Sequence, residues 1–221
     1  MGTLFPVLFF FVVIIVIIIA FSSYSSKKEK ERTLAMQQIA HQMGWTFAPE
    51  ANLEMIPHYD YFHLFNQGHA KGIENMLSGQ INDMKAAIFE YKYTIGTGKS
   101  SSTHRQSVFY FETPKLQLPM FTLVPENFIH KIVGALGYQD IDFTTHPEFS
   151  NNYMLRGKDE QAIRNTFTPR ILQFYEGNQG LSTEGCGCQF FLYRHSERLD
   201  PQEAGQDLQW AASIVPLFQR P

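Results

Sequence analysis

The chain has 221 residues, 44% of them hydrophobic and 14% aromatic, enough for one ordinary domain or two small ones once an anchor is set aside. Its 18 Lys and Arg against 21 Asp and Glu give a net charge of -3, and no basic block lies outside residues 27–32, so general nucleic-acid binding is unsupported. The two cysteines, Cys186 and Cys188, cannot staple a secreted domain and no Asn-x-Ser/Thr acceptor occurs, which favours a reducing compartment.

From Leu4 to Phe21 the sequence reads LFPVLFFFVVIIVIIIAF, without a charge. As a helix these residues span roughly 27 Å against a hydrocarbon core of about 30 Å. Val and Ile favour a strand in water, but strands rarely exceed about 10 residues and a backbone in lipid must satisfy its own hydrogen bonds, so a transmembrane helix is predicted. Its insertion is worth roughly -5 to -10 kcal/mol. A cleaved secretory signal fits less well, because no Lys or Arg precedes the run and Ala20-Phe21-Ser22 is a poor cleavage site. Lys27, Lys28, Lys30 and Arg32 follow the run and none precedes it, which predicts a single-pass protein of the cell membrane with its N-terminus outside and its domain cytoplasmic. The bilayer is then one partner, through Leu4 to Phe21.

Residues 1–26 are read as anchor and neck, with Ser22 to Ser26 polar, and 27–221 as one soluble domain that admits a subdivision near 137. Leu34, Met36, Ile39, Ala40 and Met43 recur at helical spacing, and Gly44 is a stop. Trp45 to Phe47 starts a strand, and Ala51 to Lys71 reads mostly as loop. Strands are predicted at Asn75 to Gln80 and at Lys85 to Ile95, the latter with Ala87, Phe89, Tyr91, Tyr93 and Ile95 on one face and Glu90, Lys92 and Thr94 on the other. Gln106 to Thr113 is the hairpin partner across the flexible Gly96 to Thr103, and a strand Pro119 to Val124 precedes a helix from about Glu126 to Leu136.

In the last third a short strand Tyr153 to Arg156 turns at Gly157, and Asp159 caps a helix with Glu160 and Arg164 as an i,i+4 pair. Thr168-Pro169 opens the next helix, closed by Gly177. Strands near Leu181 to Glu184 and Gly187 to Arg194 follow, then a cap at Asp200-Pro201-Gln202-Glu203 and a helix burying Ala204, Leu208, Ala211 and Val215 up to Pro216. The predicted class is α+β, a mostly antiparallel sheet with helices packed on one face, preceded by one N-terminal transmembrane helix.

Three segments carry a family likeness: Leu118-Pro119-Met120-Phe121-Thr122-Leu123-Val124-Pro125-Glu126-Asn127; Asp140-Ile141-Asp142-Phe143 with His146-Pro147-Glu148-Phe149-Ser150; and Tyr153-Met154-Leu155-Arg156-Gly157-Lys158-Asp159-Glu160 with Phe167, Tyr193 and Arg194 beyond. In these the chain resembles a family of bacterial single-pass membrane proteins that has no assigned activity, cofactor or catalytic residue. The likeness covers about half the chain well and implies a bacterial envelope setting; the CGC cysteines are not part of it.

Each candidate site has a plainer alternative. Gly98-Lys99-Ser100 resembles a phosphate-binding loop, but Tyr93 stands where that motif needs its first Gly and a strand is predicted after it, so a hairpin loop is read. Cys186 and Cys188 would share one strand face, yet two thiols make no metal site and His195 falls on the other face, so small buried hydrophobes are read. His58, His63 and His69 with Asp60 fit neither helical nor strand spacing and are read as surface or packing residues. Asp140 and Asp142, sharing a strand face with His146 and Glu148 nearby, form a metal or acid–base cluster or else an edge strand, the latter favoured. Arg156 and Arg194 could receive an anion, but a structural pair with Asp159 or Glu160 is favoured. No catalytic, cofactor or metal residue is therefore assigned. The leading reading is a membrane-tethered, non-enzymatic binding or scaffold module with an unknown protein partner and no cofactor. The alternative is a membrane-anchored enzyme using residues 140–148, and a third is an anionic-lipid sensor using Lys27, Lys28, Lys30 and Arg32.

Overall fold

The computed structural model describes residues 4–128 and 139–219, with the side chains of 4–13, 18–22 and 99 outside the description. Helix α1 runs unbroken from Leu4–Met43 over 40 residues, about 60 Å. The expected neck at Ser22 to Ser26 is part of it: serine costs a helix only roughly half a kcal/mol per residue, and no Gly or Pro is there to break it. Among the described residues no helix is long and apolar enough to cross a membrane; most side chains of Leu4–Phe21 fall outside them. The helix stops where predicted, at Gly44, whose φ of +67° suits a residue without a Cβ.

Eight strands form one sheet among the described residues: β1 (Thr46–Ala51), β2 (His69–Ile81), β3 (Met84–Ile95), β4 (Ser102–Glu112), β5 (Leu118–Pro125), β6 (Tyr153–Gly157), β7 (Leu181–Gly187) and β8 (Gln189–Arg194). Their order is β1-β2-β3-β4-β8-β7-β5-β6, with every pairing antiparallel. The sheet therefore continues across the subdivision allowed near 137, because β4 pairs with β8. Of the helix expected from Glu126 to Leu136, a 3-10 turn at Glu126–Phe128 is seen and the remainder lies outside the described residues.

Both faces of the sheet are packed. On one, Met36 and Ala40 of α1 join α3 (Pro147–Asn152), α4 (Glu160–Thr166), α5 (Pro169–Gly177) and α6 (Ala204–Ile214) over Ile88, Phe111, Leu123 and Leu192. These five helices sit on one face, as the periodicity predicted, with Asp159 accepting from the Ala162 amide at 2.9 Å and Asp200 from that of Gln202 at 2.9 Å. Gly157 proves to be the last residue of β6 rather than a turn: a Cβ there would lie 2.3 Å from the Met120 carbonyl oxygen. The other face is covered from the segment expected to be mostly loop. It folds into 3-10 turns at Leu53–Met55 and Tyr59–Tyr61 and one helical turn, α2 (His63–Asn66); its Leu64 and Phe65, with Phe62 just before it, pack on Phe89, Tyr91 and Phe191. One-turn elements show no period, so their anchors could not be told from loop residues.

Candidate functional site

The structure disperses most residues singled out by sequence. Gly98–Ser100 is a 3-10 turn in the β3–β4 hairpin. His58 is left-handed at φ 55° and stacks on Tyr61, His63 is buried, and His69 Nε2 meets the Gly96 carbonyl at 2.8 Å, so the histidines serve three separate contacts. Cys186 pairs with Gln189 and Gly187, at φ 57°, ends β7, which leaves Cys188 alone in the turn before β8. Cys188 is thus exposed rather than buried, because register puts it at the loop tip and not on a strand.

Residues 140–143 form no strand; the Asp140 carboxylate instead accepts the amides of Ile141 at 2.9 Å and Leu155 at 2.8 Å, holding an irregular segment beside β6. Asp142 and Glu148 face solvent, and His146 bonds Thr145, so the acid–base constellation is not assembled. Arg156 does not pair with Asp159 or Glu160, which serve Ala162 and Arg164, and Arg194 donates to the Gln179 carbonyl at 2.7 Å. Among the described residues no group of three or more His, Cys, Asp or Glu is placed to hold a metal.

The most concentrated chemistry lies where α1 crosses the sheet. Glu90 of β3 is 1% exposed and accepts from three residues: Arg32 Nε, Arg198 Nη2 at 2.5 Å and Asn75 Nδ2 at 2.9 Å. Arg198 also grips Glu29 bidentately, both bonds at 2.8 Å, and Arg32 donates to the Leu199 carbonyl at 2.7 Å. Two carboxylates and two guanidiniums therefore balance. Burial opposes the Arg198 charge, but its hydrogen bonds to Glu29 and Glu90 more than offset this and raise its pKa, while the Arg198 hydrogen bonds chiefly hold the Glu29 carboxyl below its ordinary value. Paired arginine forks of this kind fix orientation as well as charge. Residues 29–32 of α1 are thus clamped to the domain, and Arg32, grouped in the sequence with the basic residues that follow the apolar run, is a structural member.

Sequence reasoning placed Glu90 on the polar face of β3. The missed signal was Ala86 and Ile88 on that same face, which mark it as covered. On the opposite face Glu184 is fully buried and accepts the amides of His63 at 2.6 Å and Leu64 at 2.8 Å and the Tyr193 hydroxyl at 2.8 Å. Burial still pushes its pKa up to about 7. His63, with neither ring nitrogen partnered, is pushed down to about 4 by burial and then by the Arg156 charge. This pair closes the α2 segment onto the sheet, a purely internal role.

Two cavities flank the clamp. One of about 300 Å³ lies between Phe109, Leu181 and Tyr193 and the carboxylates of Asp200, Glu203 and Asp207 beside Trp210. The other, of about 630 Å³, separates residues 26–34 of α1 from the β1–β2 hairpin.

No family model matches the sequence, and no curated protein does. The fold is similar to the crystal structure of the mycobacterial trehalose monomycolate transport factor A, with a TM-score of 0.57 over 86% of this chain and 97% of that one. At 10% identity the likeness is one of fold alone.

Proposed function

We propose that this chain is a membrane-tethered, non-enzymatic binding or scaffold module of a bacterial envelope and a member of the single-pass family its motifs resemble. In this reading Leu4 to Phe21 spans the cell membrane, with the domain on the cytoplasmic side. The observation that carries it is the continuity of α1: the helix that bears the apolar run enters the domain without a break and is clamped there by Glu29, Arg32, Glu90 and Arg198. A rigid helix so fixed sets the height and orientation of the sheet over a membrane, which serves recognition and contributes nothing to bond chemistry. The charge asymmetry around the run supports the orientation. That a protein of the same fold is named a transport factor supports the coarse notion of a non-catalytic role. The bound partner in this reading is another protein, its affinity raised by confinement to the membrane.

The test replaces Leu4 to Phe21 with an unrelated transmembrane helix of the same orientation and, separately, expresses residues 27–221 free. The replacement is expected to restore a deletion strain and the free domain, at equal abundance, to fail. Restoration by the free domain, or turnover of a substrate by it, would refute the reading.

A further inference from the structure

We infer that the groove between the juxtamembrane part of α1 and the β1–β2 hairpin binds the headgroup of an aminophospholipid, an inference that rests on the tethered reading. The cavity of about 630 Å³ falls within the roughly 300–1,000 Å³ usual for small-molecule sites. Its α1 wall includes Ser26, Lys30 and Thr33, one stripe of the helix, and its sheet wall includes Glu50, Glu74 and Asn75. A second cavity, lined by Ser23, Ser26, Lys27 and Lys30, shares two of these residues and continues the groove toward the apolar run. At about 1.5 Å per residue, Ser23 stands roughly 3 Å and Lys30 roughly 13 Å beyond Phe21, against a headgroup layer roughly 5–7 Å deep in each leaflet. Only the Ser23 end of the groove therefore lies at headgroup level, its Lys30 end lies beyond that layer, and the Lys30 side chain spans the gap by reaching back toward it.

The demand for a ligand comes from Asn75. It is 3% exposed and sits at φ 50°, a left-handed position in the irregular stretch of β2 between Glu74 and Leu77. Its Nδ2 is spent on Glu90, and its Oδ1 is buried with no hydrogen-bond partner. A buried acceptor left unpaired is costly, and only a donor, an N–H or O–H, satisfies it. Among the described residues Lys30 and Glu50 have no ion-pair partner, while Glu74 holds Lys92 and Arg105. A cation beside carboxylates and an orphan acceptor complements a zwitterion: the phosphate lies on Lys30, and the ammonium donates to Glu50 and, after a shift of the buried Asn75 side chain, to its Oδ1. A choline headgroup carries the same charges but has no donor, which makes it the control.

The experiment reconstitutes the full-length protein in bilayers of phosphatidylethanolamine, phosphatidylcholine and phosphatidylglycerol in equal parts, extracts it in mild detergent and quantifies retained lipid. Phosphatidylethanolamine is expected to be enriched several-fold over phosphatidylcholine. The enrichment should be lost in Lys30→Ala/Glu50→Ala, both exposed positions, and in Asn75→Gly, which accepts the left-handed backbone. Equal retention of the two zwitterions overturns the site, as does a preference for phosphatidylglycerol, which would mark a generic basic surface, or enrichment that survives Lys30→Ala/Glu50→Ala. Failure of the protein to enter the bilayer overturns the tethered reading itself, whereas entry without preference overturns this site alone.

Discussion

Glu90→Gln is expected to destabilise the protein by about 3–5 kcal/mol, the cost of removing one partner from a buried ion pair and leaving the others uncompensated. Arg32 and Arg198, with side chains 16% and 21% exposed, would face each other across a neutral amide, with Glu29 as the remaining counter-charge. The loss should appear in urea unfolding and, before that, as faster amide exchange over residues 27–43, because α1 loses its electrostatic hold before the sheet opens. Lys27→Gln is the contrast: its pair with Glu31 spans 3.8 Å between exposed side chains, and its loss should cost no more than about 1 kcal/mol. Equal effects of the two substitutions would show that the clamp does not dock the helix.

The second large effect concerns pH. In the unfolded chain Glu184 titrates near 4.5, and in the fold near 7. As pH rises through that window the unfolded chain releases its proton while the folded one keeps it, so this group's stabilisation is full below 4.5 and lost toward 7. His63 behaves oppositely: with a folded value near 4 against 6.5 unfolded, its stabilisation is full above 6.5 and lost as pH falls toward 4. Each change amounts to about 3 kcal/mol, and the two slopes cancel in the shared interval. Stability of the intact protein should therefore vary little between pH 4.5 and 6.5. Glu184→Gln should uncover a fall in stability on acidification, and His63→Leu a fall on alkalinisation. Denaturant midpoints across this range check both, and parallel pH profiles in the two variants would contradict the assignment.

The extent to which this fold was legible follows from how local each signal is. β3 was readable because Ala87, Phe89, Tyr91 and Tyr93 alternate within one strand, and α6 because Ala204, Leu208 and Ala211 fall on one helical stripe with Asp200 capping just upstream. The clamp was not readable, since Arg32 and Glu90 are 58 positions apart, Glu90 and Arg198 are 108, and Glu29 and Arg198 are 169. Only the sheet order brings them together: β3 pairs with β4, β4 with β8, and the segment after β8 returns over β4 through the Leu199 amide on Ser107. Asp140 misled for a related reason. Alternation with Ile141 and Phe143 mimics a strand, whereas its carboxylate holds the backbone of Leu155, a contact 15 positions away with no trace in spacing.

The central claim, a domain fixed to a membrane by the helix that begins at Leu4, is tested most directly by topology in cells. Full-length protein carrying a C-terminal fluorescent reporter that folds only in the cytoplasm should be bright and remain with membranes after an alkaline carbonate wash, while the matching alkaline-phosphatase fusion should be inactive. A dark fluorescent fusion with an active phosphatase, or release of the chain into the wash, would contradict the account.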